Sequence, residues 1–86
     1  MSDEPFSPQE LLEYLAEGLV DDPERVSVNA VSEDDRTTVL ELSVGQNDYG
    51  SVIGRGGRTA SALRTIIKAA ASANGSGRVF VDIVDS

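Results

Sequence analysis

The 86-residue chain has no cysteine and no histidine. Those absences remove nearly every transition-metal site, thiol nucleophile and imidazole base, so most enzyme chemistry lacks its usual side chains. Neither a catalytic dyad nor a cofactor motif is present, and the expectation is a non-enzyme without a cofactor. Aromatic residues are few, two Tyr and two Phe without a Trp, and Tyr14 and Tyr49 stand singly, so neither makes a base-stacking platform by itself. No apolar run approaches membrane-spanning length, and Met1-Ser2-Asp3-Glu4-Pro5 lacks the basic stretch and apolar run of a secretory signal. A cytoplasmic protein that does not engage membranes is expected.

One further absence is local. From Tyr49 to Val81 there is no Asp or Glu, while Arg55, Arg58, Arg64, Lys68 and Arg78 all fall there, giving about +5. Residues 1 to 48 hold thirteen acids against Arg25 and Arg36, so the overall charge of -8 hides a division between an acidic first half and a basic segment. A pI near 4.2 argues against indiscriminate binding to nucleic acid and confines any such contact to that segment.

With 40% hydrophobic residues the chain can form a core, and its length allows one domain. Residues 1 to 6 read as a disordered lead, and residues 7 to 86 as the domain. Ser7-Pro8-Gln9-Glu10 forms a helix start, with Ser7 as N-cap, Pro8 at the first helical position and Glu10 completing a capping box. Leu11, Leu12, Leu15 and Leu19 follow as one stripe, and Asp21-Asp22-Pro23 ends the helix near Val20. Val26, Val28 and Ala30 alternate with polar residues. After the polar connection Glu33 to Arg36, Thr38, Leu40, Leu42 and Val44 alternate likewise, making an antiparallel hairpin. Asn47 or Asp48 can cap a short helix carrying Tyr49, Val52 and Ile53. A longer, Ala-rich helix runs from Arg58 to about Ala73 and stops at Asn74-Gly75-Ser76-Gly77. Val79, Val81 and Ile83 mark a third strand. The order α-β-β-α-α-β leaves room for a parallel crossover, so the fold class is α+β with a mixed three-stranded sheet and helices on one face.

Between the last two helices lies Gly54-Arg55-Gly56-Gly57. Glycine there lets a phosphate approach the backbone, the start of the following helix offers unpaired N–H groups, and Arg55 and Arg58 add charge and paired hydrogen-bond donors. The spacing is not the dinucleotide G-x-G-x-x-G, since Thr59 occupies the last required position, and no Gly-Lys-Ser/Thr makes a Walker loop. Asp21-Asp22 and Glu33-Asp34-Asp35 lack calcium-loop spacing and read as solvated turns.

Val52-Ile53-Gly54-Arg55-Gly56-Gly57 resembles the Val-Ile-Gly-x-x-Gly core of KH domains, whose GXXG loop grips about four backbone nucleotides. The element order is similar to the type II KH arrangement, and IGRGGRT at residues 53 to 59 followed by Ala62-Leu63-Arg64-Thr65 resembles the small bacterial KhpA family over nearly the whole chain. The resemblance implies a single type II KH domain binding single-stranded RNA through Gly54, Arg55, Gly56 and Gly57. Val52 and Ile53 would help floor a base-binding groove, Leu63 would sit in the core, and Arg58, Arg64 and Lys68 would extend the charged track, with Arg78 the weakest candidate. Ala60 departs from the pattern, standing where KH domains often carry a large aliphatic, a change that bears on groove depth. Family analogy further implies self-pairing, pairing with a larger KH-containing RNA-binding protein, and a place in RNA regulation, cell elongation and cell-wall synthesis.

Two plainer readings stand beside these. Arg64 and Lys68 also fit the solvated face of a helix. The small-residue face Ala62, Ile66 and Ala69 fits either self-association or a helix rich in Ala for propensity alone. A rival function is a protein-association adaptor with little RNA affinity of its own, to which the acidic first half would lend a surface for basic partners.

Overall fold

A computed structural model describes residues 7 to 86, so the expected lead at residues 1 to 6 lies outside the described residues. Helix α1 runs Pro8–Glu17 and opens with the expected capping box: the Ser7 hydroxyl accepts the Glu10 N–H at 3.2 Å, and the Glu10 carboxylate accepts the Ser7 N–H at 3.3 Å. The helix stops three residues before Val20. Gly18, a poor helix former, takes the C-cap, and the Leu19 N–H turns back to the Ala16 carbonyl.

Strand β1 covers Ser27–Asp34 and β2 Thr37–Val44, an antiparallel pair in which Val28 faces Leu42 and Val31 faces Val39. The connection is shorter than the polar run Glu33 to Arg36 suggests. The Asp34 carboxylate accepts the Arg36 N–H at 2.8 Å, a side-chain-closed turn that lets β1 extend through Asp34. Strand β3, Arg78–Asp85, pairs in parallel with β2, Leu40 opposite Val81, and the sheet order is β1-β2-β3.

Helices α2 (Tyr49–Ile53) and α3 (Arg58–Ala73) form the crossover between β2 and β3. Side chains buried on one sheet face, Leu40, Leu42 and Val44 from β2 and Val79, Val81 and Ile83 from β3, meet Leu12 and Ala16 of α1, Val52 of α2 and Leu63, Ile67 and Ala71 of α3. Each large aliphatic enclosed there contributes about 1.5–3 kcal/mol relative to exposure. The architecture is therefore the expected α-β-β-α-α-β order with a mixed sheet and helices on one face. The inner face of β1 is covered less than the alternation suggests: Val28 is half-buried and Ala30 exposed, and the Gln9 amide of α1 donates to the Val28 carbonyl at 2.9 Å.

Asp48 departs from expectation. It occupies the position preceding α2, yet its carboxylate makes no cap to that helix. Instead Oδ1 accepts the Asp21 N–H at 3.0 Å and Oδ2 the Asp22 N–H at 3.1 Å, tying the α1–β1 connection to the entry of α2. Only 4% exposed, Asp48 is the buried charged side chain of the described residues, and both its oxygens are satisfied.

Candidate nucleic-acid interface

Helix α2 is too short to be stable alone, and its buried Val52 holds it to the core while the chain leaves it at Gly54. Gly54 sits at φ 79°, ψ 169°, a conformation open essentially to glycine. Gly56 (φ 65°) and Gly57 (φ 76°) both adopt the left-handed region, and the turn Arg55–Gly57, closed by the Arg58 N–H on the Arg55 carbonyl, delivers the chain into α3. A Cβ added to Gly56 or Gly57 would meet nothing within 4 Å, so the surface above them is open. No side chain caps the start of α3, which leaves its first N–H groups free of a side-chain acceptor beside the exposed Arg55 and Arg58. Within the bend the Gly54, Gly57 and Arg58 N–H groups turn back to the Gly50, Gly54 and Arg55 carbonyls, so what the open surface offers a phosphodiester is the helix N-terminus beyond them and two guanidinium groups, with the bare glycines allowing close approach.

The other candidate residues divide between the two flanks of α3. Arg64 lies on the flank facing β3, where its Nε donates to the Val81 carbonyl at 3.3 Å. Lys68, one turn further, is exposed on the same flank. On the opposite flank, Ala62 and Ile66 line an open groove of about 630 Å³ with Tyr14, Leu15 and Leu19 from the α1 side and Thr59 at its end near the loop. Ile66 is 44% exposed and Tyr14 65%. Ala69 is exposed but lies outside the groove lining, and Arg78 is an exposed strand-end residue whose N–H bonds the Arg36 carbonyl.

The floor assignment needs correction. Val52 is wholly enclosed, so it seals the core beneath the loop and presents nothing to a base; Ile53, half-buried, keeps an open face. Ala60 is also enclosed, at 2% exposure, so its small side chain sets how closely α3 sits on the core and is no part of a groove surface. Leu63 is buried as expected.

The carboxylates with shifted pKa lie in the α1–β1 connection and at the end of β1, away from residues 49 to 81. Hydrogen bonding with Glu24 raises Asp22 and, reciprocally, lowers Glu24; the Arg36 N–H lowers Asp34. Among the described residues no set of three acidic side chains is placed to hold a metal ion, and no helix is long and apolar enough to cross a membrane.

Two features escaped sequence reasoning. The acceptor role of Asp48 had no local signal. The α1–α3 groove did have one: Leu19 continues the apolar stripe of α1 past Gly18, and Tyr14 stands beside Leu15 of that stripe in a chain poor in aromatics.

An α-β-β-α-α-β domain whose second and third helices meet at a Gly-x-x-Gly loop is a KH domain of type II. The chain belongs to the KhpA/KhpB KH-domain family, whose profile matches residues 9–83. It is 43% identical over 76 residues to the RNA-binding protein KhpA of Borreliella burgdorferi, covering 88% of this chain and 90% of that one. Identity to the KhpA protein of Clostridium perfringens is 51% over 63 residues, covering 73% and 83%. For the Streptomyces coelicolor protein of the same name it is 48% over 77 residues, covering 90% and 91%. Among solved structures, the fold is similar to part of Era, crystallised with MgGDPNP and a segment of 16S ribosomal RNA, at TM-score 0.66 and 17% identity over 96% of this chain and 32% of Era.

Proposed function

We propose that this chain is a non-enzymatic, single-stranded RNA-binding protein that grips the RNA backbone at Gly54 to Gly57. The observation that carries the reading is the convergence at that loop: three glycines in positive-φ conformations, the uncapped start of α3, and exposed Arg55 and Arg58 in a segment without a carboxylate. Phosphates would be held by the two arginines and by first-turn N–H groups of α3 that lie beyond Arg58, while bases would rest toward Ile53 and the flank of α3 that faces β3. RNA binding by the KhpA relatives, as their names state it, agrees with this reading.

One such site binds weakly, and a second KH surface joined to it raises avidity without new contacts. The exposed apolar groove of Tyr14, Leu15, Leu19, Ala62 and Ile66 supports pairing through this flank, either with a second copy or with a larger KH-containing partner. Because the groove and the Arg64 flank lie on opposite sides of α3, pairing leaves the charged track open. Post-transcriptional regulation in the cytoplasm, connected to cell elongation and cell-wall homeostasis, is the cellular role family analogy supplies.

The loop geometry decides how to test this. Gly54 must stay glycine for the bend to form, whereas Arg55 is exposed and Gly56 lies in a left-handed conformation that Asp tolerates comparatively well. Arg55→Asp with Gly56→Asp therefore reverses the charge with little disturbance of the fold. Fluorescence anisotropy with single-stranded RNA should show affinity lost in this variant while sedimentation shows self-association intact. Unchanged RNA affinity would instead favour an adaptor that works through the apolar groove.

A further inference from the structure

Arg64 differs from the other cations of the basic segment in being held at a defined place. Its Nε donates to the carbonyl of Val81, midway along β3, and β3 is an edge of the sheet. The guanidinium thereby bridges from α3 to the strand. Arginine has five N–H donors, and one is used here; among the described residues the two terminal nitrogens have no protein partner. Lys68 on the same flank makes no such contact, nor do Arg55 and Arg58. Arg64 lies six positions beyond Arg58, so the group stands about 9 Å along the helix from the loop. That places it beyond a phosphate seated on the bend, on the side where the RNA's bases would lie.

We propose that Arg64 is the specificity-determining residue of this surface, reading one base through a paired hydrogen bond to two adjacent acceptors. The inference rests on the RNA-binding reading of the Gly54 to Gly57 loop and adds a chemical preference to it. A guanidinium offers donors only, so it pairs best with a base edge that shows two acceptors side by side. Guanine has such an edge at O6 and N7, and cytosine at N3 and O2. Neither adenine nor uracil shows two adjacent acceptors on one edge: adenine sets its N6 donor beside N1 and N7, and uracil sets N3–H between O2 and O4. Anchoring matters because a guanidinium already fixed by Val81 loses less freedom when it engages the base than an unrestrained surface arginine. The expected preference is for guanine or cytosine at one position, with Lys68 and Arg58 adding affinity that ignores sequence.

The test uses the full chain and eight-nucleotide oligouridylates carrying a single internal C, G or A, titrated by anisotropy. The wild-type chain should favour the C or G oligonucleotide by roughly five- to a hundredfold over the A and all-U forms. A guanine replaced by 7-deazaguanine tells which base supplies the acceptor pair: it removes a G preference and leaves a C preference alone. Arg64→Lys keeps the charge but not the planar fork, so it should lose the preference, bringing the C or G oligonucleotide to the same affinity as the all-U form. Arg64→Gln should move the preference toward A, whose N6 and N7 suit a carboxamide. Lys68→Ala should weaken all four oligonucleotides equally. A surface role confined to sealing the β3 edge would lower the unfolding midpoint without altering base preference. Equal affinity of the wild-type chain for every oligonucleotide, or an unchanged preference in both Arg64 variants, overturns the proposal while RNA binding itself stands. Binding that survives Arg55→Asp/Gly56→Asp, or no binding at all, overturns the loop reading and this inference with it.

Discussion

A side-chain carbon on Gly54 would fall within the space of the Thr59 hydroxyl, and would also lie 2.7 Å from Thr59 Cβ and 2.9 Å from its backbone nitrogen. The first residue of the loop and the first turn of α3 are thus packed against each other, and this contact sets the bend's shape.

Gly54→Ala is therefore expected to destabilise the fold by about 1–3 kcal/mol from its backbone conformation alone, with the Thr59 overlap added. Gly56→Ala faces only the left-handed backbone cost, about 1–2 kcal/mol, since nothing lies within 4 Å of the added carbon. Because Thr59→Ala removes the hydroxyl, it should recover part of the Gly54→Ala loss and none of the Gly56→Ala loss. Denaturant unfolding of the single and double variants measures that coupling.

Asp48 joins elements 27 residues apart in sequence through its bond to the Asp21 N–H. Asp48→Ala leaves the Asp21 and Asp22 N–H groups without their acceptor and should lower stability by about 1–3 kcal/mol. Hydrogen exchange should accelerate at those two amides first. Undisturbed protection there would show that the carboxylate does not hold the connection.

The Asp34 carboxyl is held below the usual aspartate range chiefly by the Arg36 N–H, with Thr37 adding to it. A depressed folded-state pKa means that the turn's contribution is present above the unfolded aspartate pKa and is lost as pH falls through the folded value. An NMR titration should therefore show the Arg36 amide moving with a midpoint more acidic than that of an unstructured Asp, and Asp34→Asn should abolish the step. A midpoint at the ordinary value would remove the turn from the account of acid sensitivity.

Ile66→Asp places a charge on the exposed groove flank, where a monomer's stability should change by no more than about 0.5 kcal/mol. Sedimentation should nonetheless shift toward the monomer, and the affinity of that monomer for a short RNA should be that of the wild-type monomer. A wild-type chain that is already monomeric at micromolar concentration would remove pairing through this flank.

The limits of the sequence follow from the range of the interactions involved. Alternation at Leu40, Leu42 and Val44 and the glycine stop after Ala73 are local signals, and the elements they mark lie where that reading puts them. The Gly54 to Gly57 bend was legible for the same reason, as glycine spacing and charge are written in consecutive residues. Val52 was misplaced because α2 has only five residues, too few turns for periodicity to separate an inward side chain from an outward one. Asp48 read as a helix cap because its real partners, the Asp21 and Asp22 amides, are brought to it only by the packed fold. The groove beside Ile66 likewise exists only once α1 lies against α3.

The central claim is most directly tested by following backbone amide shifts while a short single-stranded RNA is added to the isotopically labelled chain at two salt concentrations. The account predicts the largest shifts at Gly54 to Arg58, smaller ones at Arg64 and along β3, and a response that weakens as salt rises. Shifts confined to Tyr14, Leu19 and Ile66, or spread over the outer face of the sheet and indifferent to salt, would contradict it.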